Sequence, residues 1–180
     1  ERREAQEALD HQSKKIRALY TVSSAIRGFL EPSSIAARGL LSLCDATGAD
    51  AGVCYLYPNR GTGRTLQLVT QHGLSKEFSD NSSSLLGLAA NVAESNQSIV
   101  IPDLRSDARA GRVLYDEEAL RSAVMVPISA EDERLGVIGV FSRAEGRFDG
   151  SDVMLVSAAA NQIGLAARQA NLFAAYRKQA

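Results

Sequence analysis

Side chains able to do chemistry are sparse in this chain, which has two histidines, two cysteines and no tryptophan. Metal or haem ligation needs His, Cys or carboxylate groups converging at suitable spacing. His11 lies in a polar N-terminal segment and His72 beside Gly73 at a strand end, so both read as solvated surface residues. His72 as an axial haem ligand has no second histidine to support it. Cys44 and Cys54 form neither a CxxC pair nor a paired-loop spacing, which points to free, buried thiols in a reducing cytosol. Ser122 follows Arg121 but has no histidine near it in sequence to act as the base that a serine nucleophile requires. Ser129-Ala130-Glu131-Asp132-Glu133 reads as an acidic turn, and GTGRT (61–65) has the flanks of a hairpin turn, not of a phosphate loop. These residues predict no metal, no cofactor and no enzyme.

The totals narrow the partners. A chain of 180 residues suits one domain with helical extensions and a real core. Lys plus Arg is 20 against 21 for Asp plus Glu, a balance that leaves no footprint for nucleic acid or an anionic membrane. No apolar run reaches the roughly 20 residues of a membrane span, so no direct membrane insertion is expected. The polar N-terminus, ERREAQEALDHQSKK, is not a signal peptide and lacks an initiator methionine, so it reads as cut from a longer, cytoplasmic protein.

Hydrophobic periodicity supplies the elements. Residues 4–30 carry Ala5, Leu9, Ile16, Leu19, Ile26 and Leu30 along a heptad-like seam interrupted by Gln12 and Ser23. Pro32 stops that helix at Glu31 and suits the first turn of a second one, which closes on Gly48. DAGVCYLY (50–57) and RTLQLVTQHG (64–73) read as a hairpin. LSKEFSDNSS (74–83) reads as a loop with a helical turn, LLGLAANVAESN (85–96) as a short helix and SIVIPD (98–103) as a brief strand. Residues 104–121 form a long loop with a helical turn or two, the kind that often carries function. SAVMVPI (122–128) and RLGVIGVFSR (134–143) make a second hairpin, and residues 149–177 a long helix with two apolar stripes. Short connections between neighbouring strands argue for an antiparallel sheet with helices packed on it. Gly136 and Gly139 thin the last strand, either to admit a ligand, loop or helix or to relieve crowding beneath a helix.

The order and spacing of ALYTVSSAIRGFLEPSSIAARGLLSLCDATGADAGVCYLY, LGLAANVAESNQSIVIPDLRSDAR, LRSAVMVPI, LGVIGVFSR and RFDGSDVMLVSAAANQIGLAARQANLF resemble the GAF domain, the sensing module of many bacterial signalling proteins. The resemblance implies an α+β fold with a five- or six-stranded antiparallel sheet. Long N- and C-terminal helices would cover one face, and a short helix and loop would roof the other. It also implies a division into an N-terminal signalling helix (1–30), a core (31–150) and a C-terminal helix (151–180) leading to an output domain such as a histidine kinase. Family members that hold a bilin covalently use a loop cysteine, and residues 103–121 contain none. Of the cyclic-nucleotide signature only Phe148 and Asp149 are present, and they belong to the general helix start. Members that reduce methionine sulfoxide use loop cysteines, onto which Cys44 and Cys54 do not map.

Alternation along the strands then selects a ligand-facing set on the roofed side. Val53 and Tyr55 come from the first strand, Ala123 and Met125 from the fourth and Phe141 from the fifth of those read above. Leu86 and Ala90 come from the roofing helix, and Asp103, Arg105, Arg109 and Tyr115 from the loop. A tyrosine hydroxyl and arginines could fix a small, anionic ligand. Equally, the apolar members could be core, and Asp103 and the arginines could pair at the surface. For a homodimer the candidate seam is Leu9, Ile16, Leu19, Ile26, Val156, Ile163, Ala167, Ala170 and Ala174. The expected function is a sensor that binds a small molecule, dimerises, or both; a ligand-free transmission module is the alternative.

Overall fold

The computed structural model describes residues 2–26, 32–58, 65–80 and 83–179, with side chains at 2–16, 32–58, 65–78 and 85–172. The elements in chain order are α1 (Arg2–Ile26), α2 (Pro32–Thr47), β1 (Ala51–Leu56), β2 (Gln67–His72), α3 (Lys76–Asp80) and α4 (Ser83–Ser95). They continue with β3 (Ile99–Ile101), α5 (Arg112–Asp116), β4 (Ser122–Ala130), β5 (Glu133–Ser142) and α6 (Gly150–Gln179). A single 3-10 turn, Leu104–Ser106, precedes α5. The GTGRT turn falls almost wholly outside the described residues.

Local chemistry explains the boundaries. Pro32 opens α2, where a missing amide costs nothing. Gly48, at φ +68°, closes that helix, with the Ala49 amide donating to the Cys44 carbonyl at 3.1 Å as in a Schellman cap. Glu131 and Asp132 both adopt positive φ, the geometry of a two-residue type I′ turn between β4 and β5.

The five strands form one antiparallel sheet in the order β2-β1-β5-β4-β3. Its two faces build two apolar layers. On one face α2 and α6 cover Cys54, Val124, Val126, Ile128, Ile138 and Val140, contributing Ile35, Leu40, Leu43, Val156 and Ile163. Gly164 lets α6 sit close, since a methyl there would meet the Ser129 carbonyl oxygen at 2.8 Å. Helix α1 packs on α2 and α6. Its residues 2–14 are exposed, because polar side chains fill most of that stretch.

The other face is roofed by α3, α4 and the segment 102–121. That segment is tied to the sheet by backbone bonds from Leu104 to the Arg121 carbonyl (2.7 Å) and from Arg121 to the Ser142 carbonyl (2.8 Å). The expected long loop is therefore an ordered cap made of a 3-10 turn and α5.

Candidate functional site

Strand alternation carries Val53 and Tyr55 of β1, Ala123 and Met125 of β4, and Val137 and Phe141 of β5 to the roofed face. From above, α4 presents Leu85, Leu88, Ala89 and Val92, while Phe78, Leu104, Leu114 and Leu120 close the margins. Val53, Ala123, Met125 and Phe141 are wholly buried and Tyr55 is 1% exposed. Neighbouring side chains of the same apolar layer pack around these groups. Burial pushes the Tyr55 phenol well above its ordinary range. Each fully buried Leu, Phe or Met here contributes about 1.5–3 kcal/mol, so the roofed face is a core in its own right.

The two strand glycines face opposite ways. A methyl on Gly136 would overlap the Tyr55 carbonyl oxygen of β1, so this glycine admits neighbouring backbone. Gly139 pairs with Met125, whose side chain lies over it. The space beside Gly139 is thus occupied from within the sheet, and helix-on-sheet crowding is relieved at Gly164 instead.

Among the charged loop residues selected from sequence, Asp103 and Arg109 make ion pairs. Arg109 is exposed and makes a bidentate pair with Asp107, its Nε 2.9 Å from Oδ1 and its Nη2 2.7 Å from Oδ2. That guanidinium lowers the Asp107 pKa. Asp103 accepts from the Arg105 amide (3.1 Å), and its carboxylate is gripped by Arg121 at 3.2 and 3.4 Å. The Arg121 hydrogen bonds hold the Asp103 carboxyl below its ordinary range. Arg105 is exposed. Asp103 and Arg109 thus each pair with a charged neighbour within the cap. Leu86, Ala90 and Tyr115 are half-buried at the rim of the apolar layer.

Sequence reasoning missed Arg121, Glu118 and Phe78. Arg121 bridges Asp103 and Glu145 (2.9 Å) where the cap meets the sheet. Glu118 is buried; it accepts from the Ser75 amide at 3.2 and 3.3 Å and from the Ser75 hydroxyl, while Ser75 Oγ accepts from the Phe78 amide at 3.2 Å. The cap is thereby clasped to the start of α3. An isolated Phe78 within a polar stretch was the available signal for that anchor.

Both thiols lie on the helix-covered side of the sheet, not under the roof. Burial pushes each up to about 12. Among the described residues no cluster of three or more His, Cys, Asp or Glu could hold a metal ion, and no helix is long and apolar enough to cross a membrane.

The dimer seam needs correction. Val156, Ile163 and Ala167 are buried within the chain's own body, because α6 turns that stripe toward the sheet and α2, and Ala170 is half-buried. The outward stripe of α6 instead carries Met154, Leu165 and Leu172. Leu9 and Ile16 of α1 are exposed, seven residues apart as expected. The side chains of Leu19, Ile26 and Ala174 lie outside the described residues.

Comparison with known proteins gives the same architecture. The family model described as GAF domain matches residues 30–167. The GAF domain of a phosphoenolpyruvate-protein phosphotransferase from Coxiella burnetii aligns with a TM-score of 0.75 at 16% identity, over 91% of this chain and 98% of that one. Free methionine-R-sulfoxide reductase from Neisseria meningitidis, solved with its substrate, aligns at 0.70 and 18% identity over 87% and 91%. Residues 122 to 287 of a methyl-accepting chemotaxis protein align at 0.68 and 20% identity over 84% and 98%. No curated protein sequence matches. The family model, which spans most of the chain, shows that this chain belongs to the GAF domain family.

Proposed function

We propose that this chain is a regulatory GAF module of a cytoplasmic signalling protein, acting through its long helices on a downstream output domain such as a histidine kinase. It works as a homodimer and performs no chemistry of its own. The observation that carries this reading is the contrast between its two sides. The roofed face is filled by Met125, Phe141 and Tyr55, whereas α1 and α6 leave large apolar side chains in water, Ile16 at 62% and Met154 at 74% exposure. A second copy of the chain would cover those side chains. Buried free thiols suit a reducing compartment.

The test is sedimentation of the 180-residue chain and of Ile16→Glu and Leu165→Glu variants. A dimer in the parent chain and monomers in both variants support the proposal. A parent chain that stays monomeric at high concentration ends it.

A second reading is a small-molecule sensor entered by lifting the roof. Its support is the rim of half-buried Leu68, Leu74, Leu86, Ala90, Ile99, Val113 and Tyr115 around the filled centre. On that reading Met125 and Phe141 move aside for a ligand. Native mass spectrometry of freshly purified protein separates the two: a retained small molecule favours the sensor, and an unloaded dimer favours transmission alone.

A further inference from the structure

Among the described side chains of α1, Lys15 is the one that is buried, at 8% exposure. Its ammonium reaches the first turn of α6, 134–137 residues away in sequence. There it donates to Asp149 Oδ1 at 3.4 Å and to the Ser151 hydroxyl, and it lies 3.0 Å from Asp152 Oδ1. A cation at a helix N-terminus meets the unfavourable end of the helix dipole. The local carboxylates must therefore hold it there. Asp149 faces solvent and already caps α6, so the specific partner is Asp152, which is wholly buried. One Asp152 oxygen accepts from the Asp149 amide at 2.9 Å; the other, fully enclosed, lies 3.0 Å from the lysine ammonium, its ion-pair partner among the described residues.

A buried pair of this kind gains little net stability over an apolar contact but penalises every arrangement in which one charge loses the other. A slide of α1 along α6 by one turn, or a rotation by one residue, would strand both charges in the interior. Nothing else described on α1 between residues 2 and 14 offers such discrimination, since those side chains are exposed. We infer that Lys15 and Asp152 form a register lock that fixes the axial and rotational setting of α1 against α6. A signal passing between these helices must either keep the lock or break it in an all-or-none step. This use of the lock rests on the transmission reading above; the lock itself does not.

The test places spin labels at Gln12→Cys on α1 and Gln162→Cys on α6, both exposed, in the 180-residue chain whose own cysteines are buried. Double electron–electron resonance should give one narrow distance peak within each chain, with labelled protein diluted into unlabelled protein. Adding Lys15→Met, which keeps the aliphatic stem, or Asp152→Asn, which keeps an acceptor for the Asp149 amide, should broaden or split that peak; each leaves one group of the buried pair without its partner and lowers the melting midpoint, while circular dichroism keeps the folded spectrum of the parent. A peak unchanged by either substitution overturns the lock, because apolar packing alone then sets the register. A peak already broad in the parent chain overturns it too, and global unfolding of both variants would show a pair that holds the fold rather than the register. Dimerisation is measured separately by sedimentation, so the lock can fail while the transmission reading stands, or the reverse.

Discussion

Met125 and Gly139 stand directly opposite one another on β4 and β5, and the methionine side chain covers the face that the glycine leaves bare. A methyl at position 139 would lie 3.0 Å from Met125 Cγ and 3.5 Å from Cε, atoms on a chain that can rotate away. At position 136 the same methyl would strike the Tyr55 carbonyl oxygen, which cannot yield without parting β1 from β5. Overpacking a core costs about 1–3 kcal/mol. Gly139→Ala should fall at the low end of that range and Gly136→Ala at or beyond the high end. Urea unfolding of the two variants measures the difference, and equal losses would contradict the assigned roles.

Truncating the covering side chain reverses the experiment. Met125→Ala should cost about 2–5 kcal/mol and leave an apolar hollow beneath the roof. Apolar cavities of this kind stay dry and take up benzene or xenon. Saturating benzene should therefore raise the melting temperature of Met125→Ala and leave the parent chain unmoved. A parent chain that responds equally would mean that the roofed face is already open.

The faces of β1, β4 and β5 were legible because a period of two has no alternative once Val53 and Tyr55 are placed together. The helix boundaries followed from Pro32 and Gly48. The charged residues of the cap were harder, because an exposed arginine pairs with whatever carboxylate the backbone brings near, and that depends on turns of three residues or fewer. Asp107 lies two residues from Arg109 and captures it, while Arg121 reaches back over 18 positions to Asp103. The α6 seam was misassigned for a different reason. Two apolar stripes on one helix do not say which of them faces the sheet, and only the packing of α2 against Val156 and Ile163 decides it.

The two thiols give an alkaline signature. Each is raised from 9.0 to about 12 by burial, with the Asp45 charge adding to the effect at Cys44. A group that binds its proton more tightly when folded gives full stability below its unfolded pKa and loses it as pH rises toward the folded value. Stability should therefore decline between pH 9 and pH 12, by an amount on the order of 4 kcal/mol for each thiol. Cys44→Ser and Cys54→Ser should each flatten that limb. Iodoacetamide should modify neither thiol in the folded chain below pH 9. Rapid labelling there would show an open core.

At the other end of the scale Asp149 governs. Its carboxylate accepts from the Ser151 hydroxyl (2.5 Å), the Ser151 amide (2.9 Å) and the Asp152 amide (3.0 Å), capping α6. The Ser151 hydroxyl and then the Asp152 amide hold its carboxyl far below the usual carboxylate range. A depressed folded pKa gives stability that is present above the unfolded value of 3.8 and is lost as pH falls below it. Asp149→Ala should cost about 0.5–2 kcal/mol at neutral pH. Asp149→Asn, which can still cap, should lose less at neutral pH and show a shallower acid limb. Chemical denaturation from neutral pH downward reads both, and an unaltered acid limb in Asp149→Asn would assign acid sensitivity elsewhere.

The cap itself stores strain at one residue. Ala119 adopts φ +58° between two anchors: Glu118, whose carboxylate accepts from Ser75, and Leu120, which is wholly buried and whose amide donates to the Leu114 carbonyl at 2.9 Å. The left-handed conformation costs an L-residue roughly 1–2 kcal/mol. Glycine removes that cost but adds about 0.5–1 kcal/mol of unfolded-state freedom. Ala119→Gly should therefore gain on the order of 0.5–1 kcal/mol, and Ala119→Val, β-branched at the same φ, should lose stability. The gain should also slow hydrogen exchange at the Leu120 amide, because the anchored turn opens less often. A destabilised Ala119→Gly chain would show that the left-handed backbone at Ala119 costs less than the unfolded-state freedom that glycine adds.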